Sequence, residues 1–211
     1  MQVITVGSTA QDLCTKLASV AVPGFFDSVE MADGSTTTVE CKKNGVVVFE
    51  IEIYGTVNCT FPNGSSYTFY RYQSYSDYIN AIVVMDKAIV LRNAYGNGAF
   101  VMIAKDTNGD LVFSTHTDGS RVDPFASGAI AQAVLIVKEN GGTATRSYYT
   151  NNDDTNKKAY FVPLFVNDDV FVDGVYVGLV RPYPNEPGYM PFTIGSTEYV
   201  GFGGTSLIVK A

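Results

Sequence analysis

The chain of 211 residues contains no tryptophan and a single histidine, His116. A zinc or iron site built on several imidazoles is therefore excluded, and any Ser-His-Asp or Cys-His mechanism would have to use His116. No nucleophile motif such as G-x-S-x-G accompanies this histidine. We therefore assign no catalytic residue and interpret His116 as a half-buried structural residue.

Cysteine is also scarce, with only Cys14, Cys41 and Cys59. An odd number without C-x-x-C spacing excludes a disulfide framework and a cysteine-rich zinc site. The sequence therefore predicts unpaired, buried thiols in a protein made in a reducing cytoplasm. No basic segment followed by an apolar run stands at the N-terminus, so no signal peptide is expected. A membrane span is not predicted either, because no run of about 18 apolar residues occurs.

Charged residues are few, at 17% of the chain, and the net charge is −7 with the arginines scattered. Without a basic patch, we expect no nucleic-acid partner and no docking on an anionic membrane. No glycine-rich loop opens a helix, so nucleotide phosphates have no predicted cradle. We expect no cofactor.

What the chain does contain favours β structure. The 14 tyrosines and 13 phenylalanines suit strands. Two apolar-rich runs in segment 98–117 flank Asn108-Gly109, a strong hairpin signal. A three-residue loop with Gly109 in the left-handed region sets Ile103 against Phe113, and it sorts the two faces better than a two-residue loop. Both faces stay partly apolar, so we expect this hairpin deep inside a sheet.

One helix and a second hairpin are predicted before it. Segment 8–11 matches a capping box with Ser8 as the N-cap, and Pro23-Gly24 should end the helix. The apolar stripe at helical spacing consists of Ala10, Leu13, Cys14, Leu17 and Ala18. The hairpin covers 36–53. A three-residue loop at 43–45 would set Val39 against Phe49 and Cys41 against Val47 on one inward face.

Further strands are predicted at 2–6, 82–85, 88–91, 143–150, 161–166, 170–180, 192–200 and 206–209. A turn at Asp173-Gly174 would place Phe171 opposite Tyr176, and a tight turn at 195–196 would set Phe192 against Tyr199. Segment 56–66 is interpreted as a loop. Alanines in 129–138 favour a helix and residues 134–137 favour a strand, but the turn at 139–142 leads into 143–150, so we predict a strand pair there. The predicted fold is mainly β, an antiparallel hairpin-built sandwich or barrel-like set of sheets with one short N-terminal helix. We expect a single domain over 1–211, with a possible subdivision near 118–127.

Paired carboxylates offer one route to chemistry. Glu50 and Glu52 share a strand face two residues apart, a spacing found in glycoside hydrolases and also on ordinary solvated sheet faces. The polar segments 151–156 and 167–169 could offer oxygens to calcium but lack the spacing of a calcium loop. We therefore predict no metal site.

Two stretches have the composition of contact surfaces. Segment 67–78 interleaves aromatic residues with Ser, Thr, Gln and Arg, which suits stacking on sugars or on a neighbouring subunit. The proline-rich segment 181–191 is stiff and loses little entropy when it lies against a partner. The candidate binding residues are Tyr67, Tyr70, Arg71, Tyr72, Tyr75, Tyr78, Arg181, Tyr183 and Tyr189. Tyrosines lining a sheet edge and a stiff connection between strands remain the alternative interpretations.

The order of these features also resembles a family. A capped helix, an acidic hairpin, a tyrosine-rich strand, the D-x-N-G-D turn at 106–110 and the closing FTIGSTEYV at 192–200 resemble small β-rich structural proteins of tailed phages and prophages of Gram-positive gut bacteria. This resemblance covers most of the chain loosely and carries over no functional residue.

The resemblance implies a non-enzymatic virion component of a tail, baseplate or fibre, made in the bacterial host cytoplasm and present in symmetric copies. Its partners would be other virion proteins or copies of itself, as a homo-oligomer, with a host-surface glycan as a further candidate. Two alternatives stay open: a carbohydrate-binding or adhesion module that uses the tyrosines, and a carboxylate-dependent glycoside hydrolase.

Overall fold

The computed structural model describes residues 1–54, 56–69, 79, 81–92, 100–116, 129–151, 162–165, 170–177, 189–202 and 207–211. This part of the chain is mostly β, with one short helix near the N-terminus and antiparallel sheets. The predicted fold class is confirmed as mainly β and sandwich-like. The prediction of a single domain stays a prediction, since its possible boundary lies outside the described residues.

The elements, in chain order, are β1 (Gln2–Thr5), α1 (Ala10–Ala21), β2 (Ser28–Met31), β3 (Thr38–Lys43), β4 (Val46–Tyr54), β5 (Thr56–Thr60), β6 (Ser66–Phe69), β7 (Ala81–Val84), β8 (Ala88–Arg92), β9 (Phe100–Lys105), β10 (Leu111–His116), β11 (Ala129–Lys138), β12 (Thr143–Asn151), β13 (Val162–Phe165), β14 (Phe171–Val177), β15 (Tyr189–Ile194), β16 (Thr197–Phe202) and β17 (Leu207–Lys210).

The strands form three sheets that we name by position. The central sheet has the order β1-β7-β8-β9-β10-β11-β12. The N-terminal sheet has the order β2-β3-β4-β5-β6, and the C-terminal sheet has the order β13-β14-β17-β16-β15. The chain therefore leaves the central sheet after β1, builds α1 and the N-terminal sheet, and returns to pair β7 with β1.

The central sheet lies between the other two sheets, and both of its faces are apolar. Along β8, Ile89 and Leu91 enter one hydrophobic core with α1 and the N-terminal sheet, whereas Ala88 and Val90 enter a second core with the C-terminal sheet. Residues of β9 and β10 alternate between the two cores in the same way. This is the burial on two faces that the near-continuous apolar runs indicate.

The helix begins one residue later than predicted. Thr9, not Ser8, is the N-cap, and its side chain accepts a hydrogen bond from the Asp12 amide. The Asp12 carboxylate reaches back to the Gly7 amide at 2.6 Å, so a carboxylate at the third helical position replaces the predicted Gln11. Four members of the predicted apolar stripe are buried, and the fifth, Ala18, is partly buried against the same core. The helix ends at Ala21, before the Pro23-Gly24 dipeptide.

The central hairpin, β9–β10, has the predicted register. Ile103 pairs with Phe113, and Gly109 has φ +89° in the loop. The Asp106 carboxylate accepts hydrogen bonds from the amides of Asn108 at 2.8 Å and Asp110 at 3.1 Å. This carboxylate therefore stabilises the turn itself, as the sequence indicated.

The predicted register of the β3–β4 hairpin is wrong. Val39 pairs with Ile51 rather than with Phe49, because Asn44 and Gly45 both adopt positive φ and form a two-residue turn. A bulge then inserts one extra residue on β4, so Phe49 pairs with Cys41. The inward-facing set keeps most of its predicted members, but Val47 is 38% exposed instead of buried.

Two other predictions are wrong because segments with turn-forming residues lie in strands. Segment 56–66 is not a loop throughout, since β5 occupies Thr56–Thr60 and alternates between intermediate and buried positions. Asp173-Gly174 does not turn the chain, because β14 runs through it, with Gly174 at φ +71°. Phe171 therefore pairs with Phe165 rather than with Tyr176.

Several other predictions are confirmed. The two short strands β7 and β8 form about Asp86-Lys87, segment 129–138 is a strand paired with β12, and Phe192 pairs with Tyr199 across the turn at 195–196. The three cysteines are buried and form no disulfide.

A carboxylate ties the central and N-terminal sheets together. Glu139, in the turn between β11 and β12, accepts hydrogen bonds from the Lys43 ammonium at 2.5 Å and from the Leu111 amide at 2.8 Å. Burial raises the pKa of Glu139, but the two hydrogen bonds and the positive charges of Lys43 and Lys105 together outweigh burial, so the pKa lies below its ordinary value. This contact contributes stability only while Glu139 is ionised.

Candidate functional site

The residues predicted to form contact surfaces are only partly within the described chain. Tyr67 lies in β6, pairs with Cys59 and packs half-buried against the first core. Tyr189 begins β15. The remaining candidates lie outside the described residues: Tyr70, Arg71, Tyr72, Tyr75, Tyr78, Arg181 and Tyr183. Of this set, the structure thus shows Tyr67 contributing to the core.

The carboxylates Glu50 and Glu52 lie on the outer face of the N-terminal sheet. Glu30, Glu40 and Glu50 stand opposite one another on three neighbouring strands. The Lys42 ammonium binds Glu30 and Glu40, and these hydrogen bonds raise the pKa of Lys42 above its ordinary value. Like charges in register repel, so the ammonium among them offsets part of the cost. This arrangement is that of a solvated sheet face with its own counter-ion.

Other chemically capable groups are few in the described part of the chain. His116 ends β10, where it pairs with Val134. Burial raises the pKa values of the Cys41 and Cys59 thiols, which suppresses the reactive thiolate. No group of three or more His, Cys, Asp or Glu residues that could hold a metal ion occurs among the described residues. Within those residues, no helix is long and apolar enough to cross a bilayer.

A row of aromatic rings lies on the outer face of the C-terminal sheet. Val200 and Val209 point inward to the second core, so their neighbours along the strands point outward. By this alternation Tyr199 and its cross-strand partner Phe192 face away from the central sheet. Tyr176 follows the inward Val175 and lies on the same outer face. We call Phe192, Tyr199 and Tyr176 the aromatic row.

The rings of the aromatic row contact one another. The Phe192 and Tyr199 ring centroids are 5.7 Å apart and the rings are stacked at 19°. Tyr176 meets Tyr199 edge to face, with centroids 5.9 Å apart. Because Tyr176 and Tyr199 come from the strands on either side of β17, their rings meet over this strand, where Ile208 is fully buried. Each ring is half-buried.

An exposed apolar residue extends this surface. Ile194, two residues after Phe192 on β15, lies on the same face and is 47% exposed next to the hairpin turn.

Comparison with family models, curated proteins and solved structures found no match for the chain. The surface is therefore interpreted from its own chemistry.

The stacking decides what the aromatic row can bind. Phe192 and Tyr199 each turn one ring face to the other, so that face is not open to a sugar. The side chain of this surface that is exposed to water is that of Ile194. Half-buried aromatic residues with a neighbouring exposed aliphatic side chain are the composition of protein–protein contact surfaces.

The sequence indicated only part of this row. The Phe192–Tyr199 pair follows from the hairpin turn and was predicted. Tyr176 was missed because β17 lies between β14 and β16 in the sheet, an order that no local pattern specifies. The alternation of Val175, Tyr176 and Val177 was the available signal, and the interpretation of Asp173-Gly174 as a turn obscured it.

Proposed function

We propose that the chain is a non-enzymatic structural protein of a phage-like particle, part of its tail, baseplate or fibre. It acts in the virion through surfaces that contact other virion proteins or further copies of itself. The observation that carries this proposal is the aromatic row with Ile194 beside it. The resemblance in sequence supplies the particle context.

The aromatic row is suited to burial in a complex. Tyrosine and phenylalanine supply large contact areas and lose little conformational entropy on binding. The mutual packing of Phe192, Tyr199 and Tyr176 holds the rings in place before a partner arrives, which lowers the cost of association. Ile194 adds apolar area that is now in water and would be removed from water in an interface.

A carbohydrate-binding module is the second candidate. The observation that favours it is that two half-buried tyrosines, Tyr176 and Tyr199, lie together on one outer face. The stacking of Tyr199 on Phe192 weighs against it, since sugars bind on open ring faces. The protein-contact proposal therefore fits the geometry better.

A matched pair of variants tests the proposal. Ile194→Glu places a charge beside the aromatic row, and Val46→Glu places the same charge at another exposed hairpin turn, in the N-terminal sheet. Both positions are exposed, at 47% and 62%, so neither change should unfold the protein. Sedimentation velocity of the full chain should show assemblies that Ile194→Glu weakens and Val46→Glu leaves intact.

Two results would overturn the proposal. One is a monomeric chain that binds on a glycan array and loses this binding in Ile194→Glu, which would establish the carbohydrate-binding module. The other is hydrolysis of a cell-wall polysaccharide that disappears in Glu50→Gln or Glu52→Gln, which would establish the hydrolase.

A further inference from the structure

One edge of the central sheet differs from every other edge in the described part of the molecule. β12 has nine residues, pairs with β11 through an unbroken register, and pairs with no described strand on its other side. The other edge strands, β1, β2, β6, β13 and β15, have four to six residues. Proline interrupts two of them, β13 and β15. Shortness and proline are two means by which proteins prevent edges from pairing with other chains.

β12 carries little of this protection. Its sequence, TATRSYYTN, contains no proline and one charged residue, Arg146, and it is rich in Thr and Tyr, which favour strands. The register with β11 has no bulge over its whole length. A long edge without proline or a bulge is a template for another strand.

The hydrogen bonds of the β11–β12 turn fix which amides point to the open edge. The Lys138 amide donates to the Gly142 carbonyl at 2.8 Å, so these two residues form a hydrogen-bonded pair. In an antiparallel ladder such pairs alternate with non-hydrogen-bonded ones. The amides and carbonyls of Ala144, Arg146, Tyr148 and Thr150 therefore point to β11. Those of Thr143, Thr145, Ser147, Tyr149 and Asn151 point away from it.

We propose that the open edge of β12 binds β12 of a second copy of this chain, antiparallel and about a two-fold axis at Ser147. This register overlaps all nine residues and places only outward-pointing residues in hydrogen-bonded pairs, with Thr145 opposite Tyr149 and Ser147 opposite itself. About ten hydrogen bonds would form, two for each of the five outward-pointing residues. Arg146 would stand opposite Tyr148, so the two like charges do not oppose each other.

A second copy is the occupant that the edge itself specifies. An isologous pair needs one surface that complements itself, and an antiparallel strand edge does so because its donors and acceptors alternate in both directions. The two central sheets would then become one continuous sheet. This inference deepens the proposed function by naming one assembly surface and its partner, and it rests on that function.

The test compares two variants at the proposed axis. Ser147→Pro removes an outward-pointing amide and places the proline ring on the open edge, whereas Ser147→Ala removes the hydroxyl but keeps the amide. Sedimentation of the full chain should give a dimer of twice 22.8 kDa for the wild type and for Ser147→Ala. Ser147→Pro should weaken the dimer at least tenfold and keep the circular dichroism of the wild type.

A cross-link gives a second readout that does not depend on how well the proline variant folds. Under mild oxidation Ser147→Cys should form a covalent dimer, since paired residues at the axis lie about 5.5 Å apart between Cα atoms. Thr145→Cys, displaced from the axis, should not. The native thiols are buried and give little background.

Three results would overturn the inference: a monomeric wild type, a dimer that persists in a folded Ser147→Pro variant, or a covalent dimer from Thr145→Cys but not from Ser147→Cys. Assembly that Ile194→Glu disrupts and Ser147→Pro does not would refute this inference alone and leave the proposed function standing. Disruption by Ser147→Pro alone would support the β12 edge and count against the aromatic row.

Discussion

The first core is built around Phe113, and a double-mutant cycle can measure how strongly its aromatic rings depend on one another. Phe113 is fully buried on β10, and its ring stacks on that of Phe49 with centroids 5.1 Å apart. Phe26 and Phe61 complete the cluster at 6.5 and 6.0 Å. These rings join the central sheet to the N-terminal sheet and to the segment after α1. Phe49→Leu, Phe113→Leu and the double variant therefore probe the contact between layers.

The magnitudes follow from the contacts that each change removes. Phe113→Leu loses three ring contacts and part of its buried volume, and should lower the free energy of unfolding by about 2 kcal/mol. Phe49→Leu loses two ring contacts, to Phe61 and Phe113, and should cost about 1.5 kcal/mol. Because the Phe49–Phe113 contact is counted in both, the double variant should cost about 1 kcal/mol less than the sum.

Equilibrium urea unfolding of the four proteins measures the coupling. Val200, on the inner face of the C-terminal sheet, belongs to the second core and supplies the control. A cycle of Phe113→Leu with Val200→Ala should be additive within about 0.5 kcal/mol. Strict additivity between Phe49 and Phe113 would refute the coupling of their rings. Coupling as large between Phe113 and Val200 would refute the separation of the two cores.

Three further changes test single features of the described structure. Ser114 has a fully buried hydroxyl with no hydrogen-bond partner among the described residues. Ser114→Ala should therefore leave the free energy of unfolding unchanged or raise it by about 1 kcal/mol in urea titrations. Glu139→Gln should lower the free energy of unfolding at neutral pH by about 1 kcal/mol, because it replaces the carboxylate that binds Lys43 and the Leu111 amide. The pKa of Glu139 is lowered in the folded state, so this difference should shrink in urea titrations as the pH falls below about 4.3, the usual value for glutamate. Gly109→Ala should cost about 1 kcal/mol in the same assay, since φ is +89° there, and Gly109→Asn should cost less.

The sequence predicted an element correctly where its turn residues and its apolar alternation indicated the same register. Asn108-Gly109 and the alternation on both sides of it gave one register, which the structure has. At Asn44-Gly45 the same dipeptide misled the prediction, because a two-residue turn followed by a bulge replaced the three-residue loop. Either arrangement keeps Val39, Cys41 and Phe49 inward, so the pattern of the faces could not choose between them.

The candidate surfaces were harder to predict because they depend on the order of strands. Tyr176 reaches Tyr199 only because β17 pairs between β14 and β16, which depends on packing over the second core. The exposed edge of β12 likewise follows from its place at the end of the central sheet. Composition gave the expectation that aromatic residues form contact surfaces, whereas the tertiary fold decides which of them lie together.

The return of the chain from the N-terminal sheet to the central sheet has a consequence for the order of folding. Pairing Thr5 with Ala81 closes a long loop that contains α1 and the described strands β2 to β6, at an entropic cost of about 4 kcal/mol. Strands β7 to β10, by contrast, pair with their neighbours in sequence and can form through short connections. β1 is short and mostly exposed, so its own contacts offset little of that cost. We expect β1 to pair with β7 last, after the central and N-terminal sheets have packed against each other. Its amide protons should be the first of the central sheet to exchange with solvent.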